Sequence, residues 1–122
     1  MKNKILIIED AETLRFFLSR KFKGEGFDIE EAVDGEEGIK KAKESKPDLI
    51  LLDLLLPGID GFEVLSILKK DSRLESIPVI IISNFSQEEA VKRGLKLGAI
   101  DFLVKANLSL NEIAERVKKV LK

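Results

Sequence analysis

Three carboxylates in this sequence directly follow short apolar runs. Glu9 and Asp10 come after the run that ends at Ile8, and Asp53 comes after residues 49–52. Runs this short and this apolar are typical of strands buried on both faces of a parallel sheet. A carboxylate at the carboxyl end of such a strand lies where open α/β sheets bind ligands. Asp53 is therefore a candidate functional residue, although an aspartate that only caps the following turn would give the same pattern.

Ser83 and Lys105 end two further apolar runs in the same way. If the strands are parallel, the three carboxylates, the hydroxyl and the ammonium converge at one edge of the sheet. Clustered carboxylates repel one another and raise one another's pKa values, and a bound cation offsets this repulsion. Oxygen ligands without histidine or cysteine suit Mg²⁺, and a lysine opposite them suits a phosphoryl group. The pattern therefore predicts phosphoryl transfer, with Asp53 as the nucleophile.

Each residue of this set also has a simpler explanation when it is taken alone. Glu9 and Asp10 could begin a helix, where acidic side chains suit the helix dipole. Lys105 could be a solvated surface lysine, and Ser83 could cap a helix. The functional interpretation depends on all of them reaching the same edge of one sheet.

Composition limits the other possibilities. The chain has 122 residues, which predicts one domain over residues 1–122. With 44% hydrophobic residues, 35% charged residues and a net charge of -1, disorder is not expected and nothing indicates direct nucleic-acid binding. Cysteine and histidine are absent, which excludes disulfides, thiol nucleophiles and histidine ligands. No apolar run is long enough for a signal peptide or a bilayer span, so we expect a cytoplasmic protein without membrane contact.

The elements that would position these residues alternate regularly. Leu14, Phe17, Leu18 and Phe22 have helical spacing, and the pairs Ser86 with Glu89 and Ser109 with Glu112 have capping-box spacing before two later helices. Strands are predicted at residues 4–8, 27–33, 49–52, 78–82 and 100–104, each followed by a helix. This alternation predicts an α/β fold with a five-stranded parallel sheet between helices on both faces, three layers in all.

Several sequence segments match one family in order and spacing. They are Ile7-Ile8-Glu9-Asp10, Asp53-Leu54-Leu55-Leu56-Pro57-Gly58-Ile59-Asp60-Gly61, Ile81-Ile82-Ser83 and Gly98-Ala99-Ile100-Asp101-Phe102-Leu103-Val104-Lys105. With these segments the chain resembles the receiver domain of bacterial two-component response regulators, close to the single-domain chemotaxis type. The resemblance covers essentially the whole chain and implies a flavodoxin-like sheet with strand order 2-1-3-4-5.

The resemblance also implies a function and a role for each site residue. Asp53 would accept a phosphoryl group from a sensor histidine kinase or phosphotransfer protein, so the domain would catalyse only its own phosphorylation and dephosphorylation. The implied roles are Mg²⁺ binding by Glu9, Asp10, Asp53 and the Leu55 carbonyl, phosphoryl binding by Lys105, Ser83 and Asn84, and switching by Ser83 with Phe102. The switch would change the surface around the fourth helix, fifth strand and fifth helix, and so control an unknown protein partner. We expect a monomer or weak dimer.

Four positions depart from the family pattern. Ala106 replaces a proline that often follows a cis bond, and a cis bond to alanine costs about 2.5 to 4 kcal/mol. Asn84 stands where a very small residue is common and would crowd the phosphoryl site. Leu55 and Phe85 replace polar residues that help water reach the acyl phosphate, which predicts a long-lived phosphoryl group.

Three alternatives compete with this interpretation. A flavodoxin would need a glycine- and hydroxyl-rich phosphate loop after the first strand, where this chain has residues 9–12, Glu-Asp-Ala-Glu. A haloacid-dehalogenase phosphatase would need an acid two residues after its nucleophile, where this chain has Leu55. A pseudo-receiver that keeps the fold and binds proteins without phosphorylation is the most serious alternative, and Asn84 and Ala106 favour it.

Overall fold

The computed structural model describes residues 2–121 and confirms the predicted alternation of strands and helices. A 3₁₀ turn over Lys105–Asn107 separates the last strand from the last helix. The elements are β1 (Lys4–Ile8), α1 (Glu12–Gly24), β2 (Asp28–Ala32), α2 (Gly35–Ser45), β3 (Leu49–Asp53), α3 (Gly61–Lys70), β4 (Val79–Ser83), α4 (Glu88–Lys96), β5 (Asp101–Val104) and α5 (Leu110–Val120).

All five strands are parallel and lie in the order β2-β1-β3-β4-β5, as the resemblance implied. The register aligns the carboxyl ends, because Ile8 lies opposite Leu52 and Asp53 lies opposite Ile82. Ser83 in turn lies opposite Val104, the residue before Lys105. The residues that end β3 and β4 and those that follow β1 and β5 therefore meet at one edge, which we call the carboxyl edge.

The two faces of the sheet carry separate apolar cores, because alternate strand residues point to opposite faces. One core packs strand residues such as Leu6, Ile50 and Ile81 against α2 and α3. The other packs strand residues such as Ile7 and Leu51 against α1 and α5. Covered on both faces, β3 and β4 are buried along their whole length, as the unbroken apolar runs predicted.

Three local predictions were wrong. Helix α4 begins after Gln87, whose side chain makes no capping hydrogen bond, so Ser86 and Glu89 form no capping box there. Phe17 shares the helical spacing of Leu14, Leu18 and Phe22 but is 48% exposed. Ile100 is 55% exposed and precedes β5, which begins at Asp101.

The capping prediction for the last helix is confirmed. Ser109 and Glu112 form the predicted capping box at the start of α5. Among residues 2–121 no peptide bond is cis, so the Lys105–Ala106 bond is trans. Within the same residues, no helix has the length and apolar character that crossing a membrane requires.

Candidate functional site

The carboxyl edge brings the three predicted carboxylates together. One carboxylate oxygen each from Glu9, Asp10 and Asp53 lies within 4.8 Å of the other two. Glu9 and Asp53 are only 2% and 5% exposed, whereas Asp10 is exposed. Two of the acids are thus held away from water beside a third that solvent reaches. Such a set of oxygen donors fits a hard divalent cation.

Lys105, which follows β5, faces two of these acids. It opens the 3₁₀ turn after β5, and its Nζ lies 2.9 Å from Glu9 Oε1 and 3.4 Å from Asp53 Oδ2. The lysine side chain is 17% exposed. An ammonium this close to two buried carboxylates partly neutralises them, and it is placed to contact an anionic group bound to Asp53.

The environment of Asp53 disfavours its charged form. Burial, followed by the nearby charge of Glu9, raises the pKa of Asp53 to about 6, while Lys105 acts in the opposite direction. Glu9 is held at both oxygens, because Oε1 contacts Lys105 and Oε2 accepts a hydrogen bond from the Ala11 N–H at 3.1 Å. Asp53 therefore carries a charge that the protein alone does not fully compensate.

The loop after β3 folds closely against Asp53. Gly58 has φ +76, and the Gly61 N–H donates to the Leu54 carbonyl at 2.9 Å. A Cβ at Gly61 would lie 2.4 Å from the Asp53 carbonyl oxygen, so only glycine permits this approach. The Leu55 side chain is 59% exposed in this loop, while metal binding by its carbonyl stays a prediction.

The remaining predicted residues lie on or beside β4 and β5. Ser83 is fully buried, and its Oγ accepts a hydrogen bond from the Phe85 N–H at 3.1 Å. Phe102 is half-buried beside α4, where a Cβ at Gly94 would lie 3.1 Å from its ring. Asn84 is exposed in the loop that follows β4. Phosphoryl binding by Ser83 and Asn84, and switching by Ser83 with Phe102, stay predictions.

One residue at the site was missed by sequence reasoning. Arg15 of α1 donates hydrogen bonds to the carbonyl oxygens of Glu9 and Asp10 and is paired with Glu31 of β2. The signal was its position, three residues before Leu18 and seven before Phe22, on the side of α1 that faces the sheet.

The fold and the site together define a class, a doubly wound α/β domain with buried acids and one lysine at the carboxyl edge of its sheet. The chain belongs to the response regulator receiver domain family, whose family model matches residues 5–118. Receiver domains generally bind Mg²⁺, for which the acidic cluster is suited.

Relatives of known description agree with this assignment. The chain is 38% identical over its full length to the alkaline phosphatase synthesis transcriptional regulatory protein PhoP of Bacillus subtilis, covering 50% of that protein. It is 35% identical over its full length to the phosphate regulon transcriptional regulatory protein PhoB of Rhizobium meliloti, covering 53%. The chain thus spans about half the length of these curated relatives.

Solved structures show the same fold. The receiver domain of the Francisella response regulator 1452 is 33% identical, with a TM-score of 0.91 over 98% of this chain and 96% of that one. The CheX-CheY-BeF3-Mg²⁺ complex from Borrelia burgdorferi contains a chain 33% identical, with a TM-score of 0.90 over 98% of this chain and 90% of that one.

Proposed function

We propose that residues 1–122 form one receiver domain that accepts a phosphoryl group on Asp53 in a two-component phosphorelay. The observation that carries this proposal is the environment of Asp53. Its carboxylate is buried, lies within 4.8 Å of oxygens of Glu9 and Asp10, and has the Lys105 ammonium 3.4 Å away. A nucleophilic carboxylate between a cation-binding cluster and a lysine suits phosphoryl transfer, which needs mainly positioning and charge stabilisation.

The chain's own residues would divide the reaction among them. One Asp53 oxygen attacks phosphorus, the P–N bond of a phosphohistidine breaks, and the imidazole leaves with the electron pair. The Lys105 ammonium pairs with a phosphoryl oxygen, and the Ser83 hydroxyl donates to another. Mg²⁺, bound by Glu9, Asp10, Asp53 and the Leu55 carbonyl, would supply positive charge to the phosphoryl oxygens. The Borrelia burgdorferi relative, crystallised with BeF3 and Mg²⁺, supports this use of a cation.

Output would follow from a change at Ser83 and Phe102. When the hydroxyl turns toward the phosphoryl group, the half-buried ring moves inward and alters the surface of α4, β5 and α5. The donor would be a sensor histidine kinase or a phosphotransfer protein in the cytoplasm, and the domain would act by docking to a protein as a monomer or weak dimer. Several relatives are DNA-binding regulators, but they are about twice as long as this chain.

Intact-mass spectrometry after incubation with acetyl phosphate and Mg²⁺ tests the proposal. We expect one phosphoryl adduct on the wild type and on Asp48→Asn, and none on Asp53→Asn. Asp48 is the matched control because it flanks the opposite end of β3 and is exposed. An unmodified wild type, or an undiminished adduct in Asp53→Asn, would contradict the proposal.

The second candidate is an interaction module that works without phosphorylation. The trans bond before Ala106 and the exposed Asn84 favour it, since both positions depart from the family pattern beside the site. The same measurement separates the two functions, because this module would remain unmodified at every Mg²⁺ concentration.

A further inference from the structure

We propose that Arg15 is a positioning residue that holds the acidic loop after β1 in the arrangement that binds Mg²⁺, and that Glu31 of the edge strand anchors it. The identity of the cation depends on the proposed function, whereas the positioning of the loop does not. Arg15 lies outside the group of side chains assigned to cation or phosphoryl binding, so its role is separate from theirs.

The guanidinium connects three parts of the chain. Its Nη1 donates to the Glu9 carbonyl oxygen at 2.8 Å and to the Asp10 carbonyl oxygen at 3.3 Å. Its Nε donates to Glu31 Oε1 at 3.0 Å. The Arg15 side chain is 15% exposed, so the guanidinium is largely removed from water, whereas the Glu31 side chain is 40% exposed. One side chain thus ties the backbone of both acidic residues to strand β2.

The loop needs such a support because it belongs to no regular element. Asp10 follows β1 and precedes α1, and Ala11 at the N-cap makes no side-chain capping bond. The direction of the exposed Asp10 carboxylate therefore depends on bonds that fix the loop backbone. Groups that orient metal ligands from outside the ligand set typically change metal affinity when they are removed.

Glu31 is itself held in place from two sides. Its backbone lies in β2 opposite Ile7, and its carbonyl oxygen accepts a hydrogen bond from Lys41 Nζ. Lys41 lies on α2, and its Nζ is also 4.0 Å from Glu37 Oε1 of the same helix. The support for the acidic loop therefore extends through the edge strand to α2.

Glu31 has a second, electrostatic effect. A guanidinium near a cation site repels the cation, and an adjacent carboxylate reduces that repulsion. Removing the charge of Glu31 should thus weaken cation binding in two ways, by loosening Arg15 and by exposing its charge to the site. Both effects have the same sign.

Mg²⁺ binding to the unphosphorylated protein, measured by isothermal titration calorimetry, tests the inference directly. We expect Arg15→Gln to weaken Mg²⁺ binding about tenfold, because the lost positioning outweighs the relief of charge repulsion, and Glu31→Gln about threefold. Arg15→Lys should weaken binding by about tenfold as well, because it keeps the repelling charge and loses the fork of donors. Arg20→Gln, an exposed arginine on the same helix, should bind Mg²⁺ like the wild type.

A second readout separates positioning from a general loss of structure. If Arg15 positions the loop, the Mg²⁺ concentration that gives half-maximal phosphorylation rises in Arg15→Gln, while the rate at saturating Mg²⁺ is kept. Unchanged Mg²⁺ affinity in both Arg15→Gln and Glu31→Gln would overturn the inference, and Glu31→Gln alone decides if Arg15→Gln does not fold. Weakened Mg²⁺ binding in a protein that never takes a phosphoryl group would support the inference and contradict the proposed function.

Discussion

Two aspartates at opposite ends of β3 have very different surroundings. Asp48, at the amino end, is exposed, and its Oδ2 accepts a hydrogen bond from the Lys4 N–H at 2.8 Å. Asp53, at the carboxyl end, is 5% exposed, lies beside Glu9 and has a pKa raised to about 6. The same residue type is thus well solvated at one edge of the sheet and electrostatically unfavourable at the other.

This difference indicates that the buried acids at the carboxyl edge lower the stability of the domain. At the amino end the acid forms one ordinary bond in water, and nothing there requires a cation. At the carboxyl edge, two buried acids share one lysine, and the backbone of Gly61 packs closely against the end of β3. Natural proteins keep such unfavourable clusters where binding or catalysis depends on them. Substitutions at the two edges should therefore have opposite or unequal effects.

The largest expected effect comes from adding a methyl group at each edge. In Gly61→Ala the new Cβ meets backbone atoms of Asp53 and Leu54 within 2.6 Å, and we expect the free energy of unfolding to fall by about 3 kcal/mol. Gly24 ends α1 at the amino edge and has no atom within 4 Å of an added Cβ, so Gly24→Ala should raise it by up to about 1 kcal/mol. Urea unfolding measures both, and equal effects would contradict the close approach at Gly61.

A smaller contrast is expected between a partly buried lysine and an exposed one. Lys105→Met leaves Glu9 and Asp53 facing each other without a cation, and we expect the free energy of unfolding at pH 7 to fall by about 2 kcal/mol in the absence of Mg²⁺. Lys92→Met removes a surface pair with Glu88 whose side chains are 73% and 80% exposed, and its effect should stay within about 0.5 kcal/mol. Urea unfolding in EDTA measures both variants. An unchanged free energy of unfolding in Lys105→Met would show that Glu9 and Asp53 do not need the lysine charge.

Neutralising Asp53 should raise the free energy of unfolding, whereas neutralising Asp48 should not. Because the pKa of Asp53 is raised from 3.8 to about 6, the stability gained by protonating Asp53 is fully present below pH 3.8 and is lost as pH rises through 6. Asp53→Asn should therefore raise the free energy of unfolding at pH 8 by about 1.5 kcal/mol, after allowance for solvent screening, and by much less near pH 4. Asp48→Asn should give no gain. Unfolding in EDTA across this pH range is the measurement, and a pH-independent gain would contradict the assigned cause.

The fold and most of the site were predictable because their signals are local and strong. The unbroken apolar runs in β3 and β4 required a sheet covered on both faces, and the register of such a sheet brings Asp53 and Lys105 to the same edge. The pairing of Lys105 with Glu9 at 2.9 Å, closer than with Asp53, was not predictable. It depends on which of the two carboxylates the flexible lysine side chain approaches more closely.

Other features depended on contacts between distant parts of the chain. Arg15 looked like an ordinary helix arginine because its partner Glu31 lies on another element. Ser86 had capping-box spacing, yet α4 begins one residue after Gln87 because spacing alone does not place a helix end. Phe17 followed the apolar spacing but faces solvent, since the side of a helix that packs is decided by its neighbours.

The smallest expected effect concerns the access of water to phosphorylated Asp53. Leu55, which is 59% exposed, and the half-buried Phe85 are apolar at the two positions that the resemblance predicts to control the access of water. We expect Leu55→Asn and Phe85→Glu together to speed hydrolysis of the aspartyl phosphate about fivefold, or about 1 kcal/mol in barrier. Loss of the adduct over time, followed by intact mass, measures the rate. Leu95→Asn, at a 45% exposed leucine on α4, is the control and should leave it unchanged. If the double variant also leaves the rate unchanged, these side chains do not limit water access, and the lifetime is set by the acids and Lys105 alone.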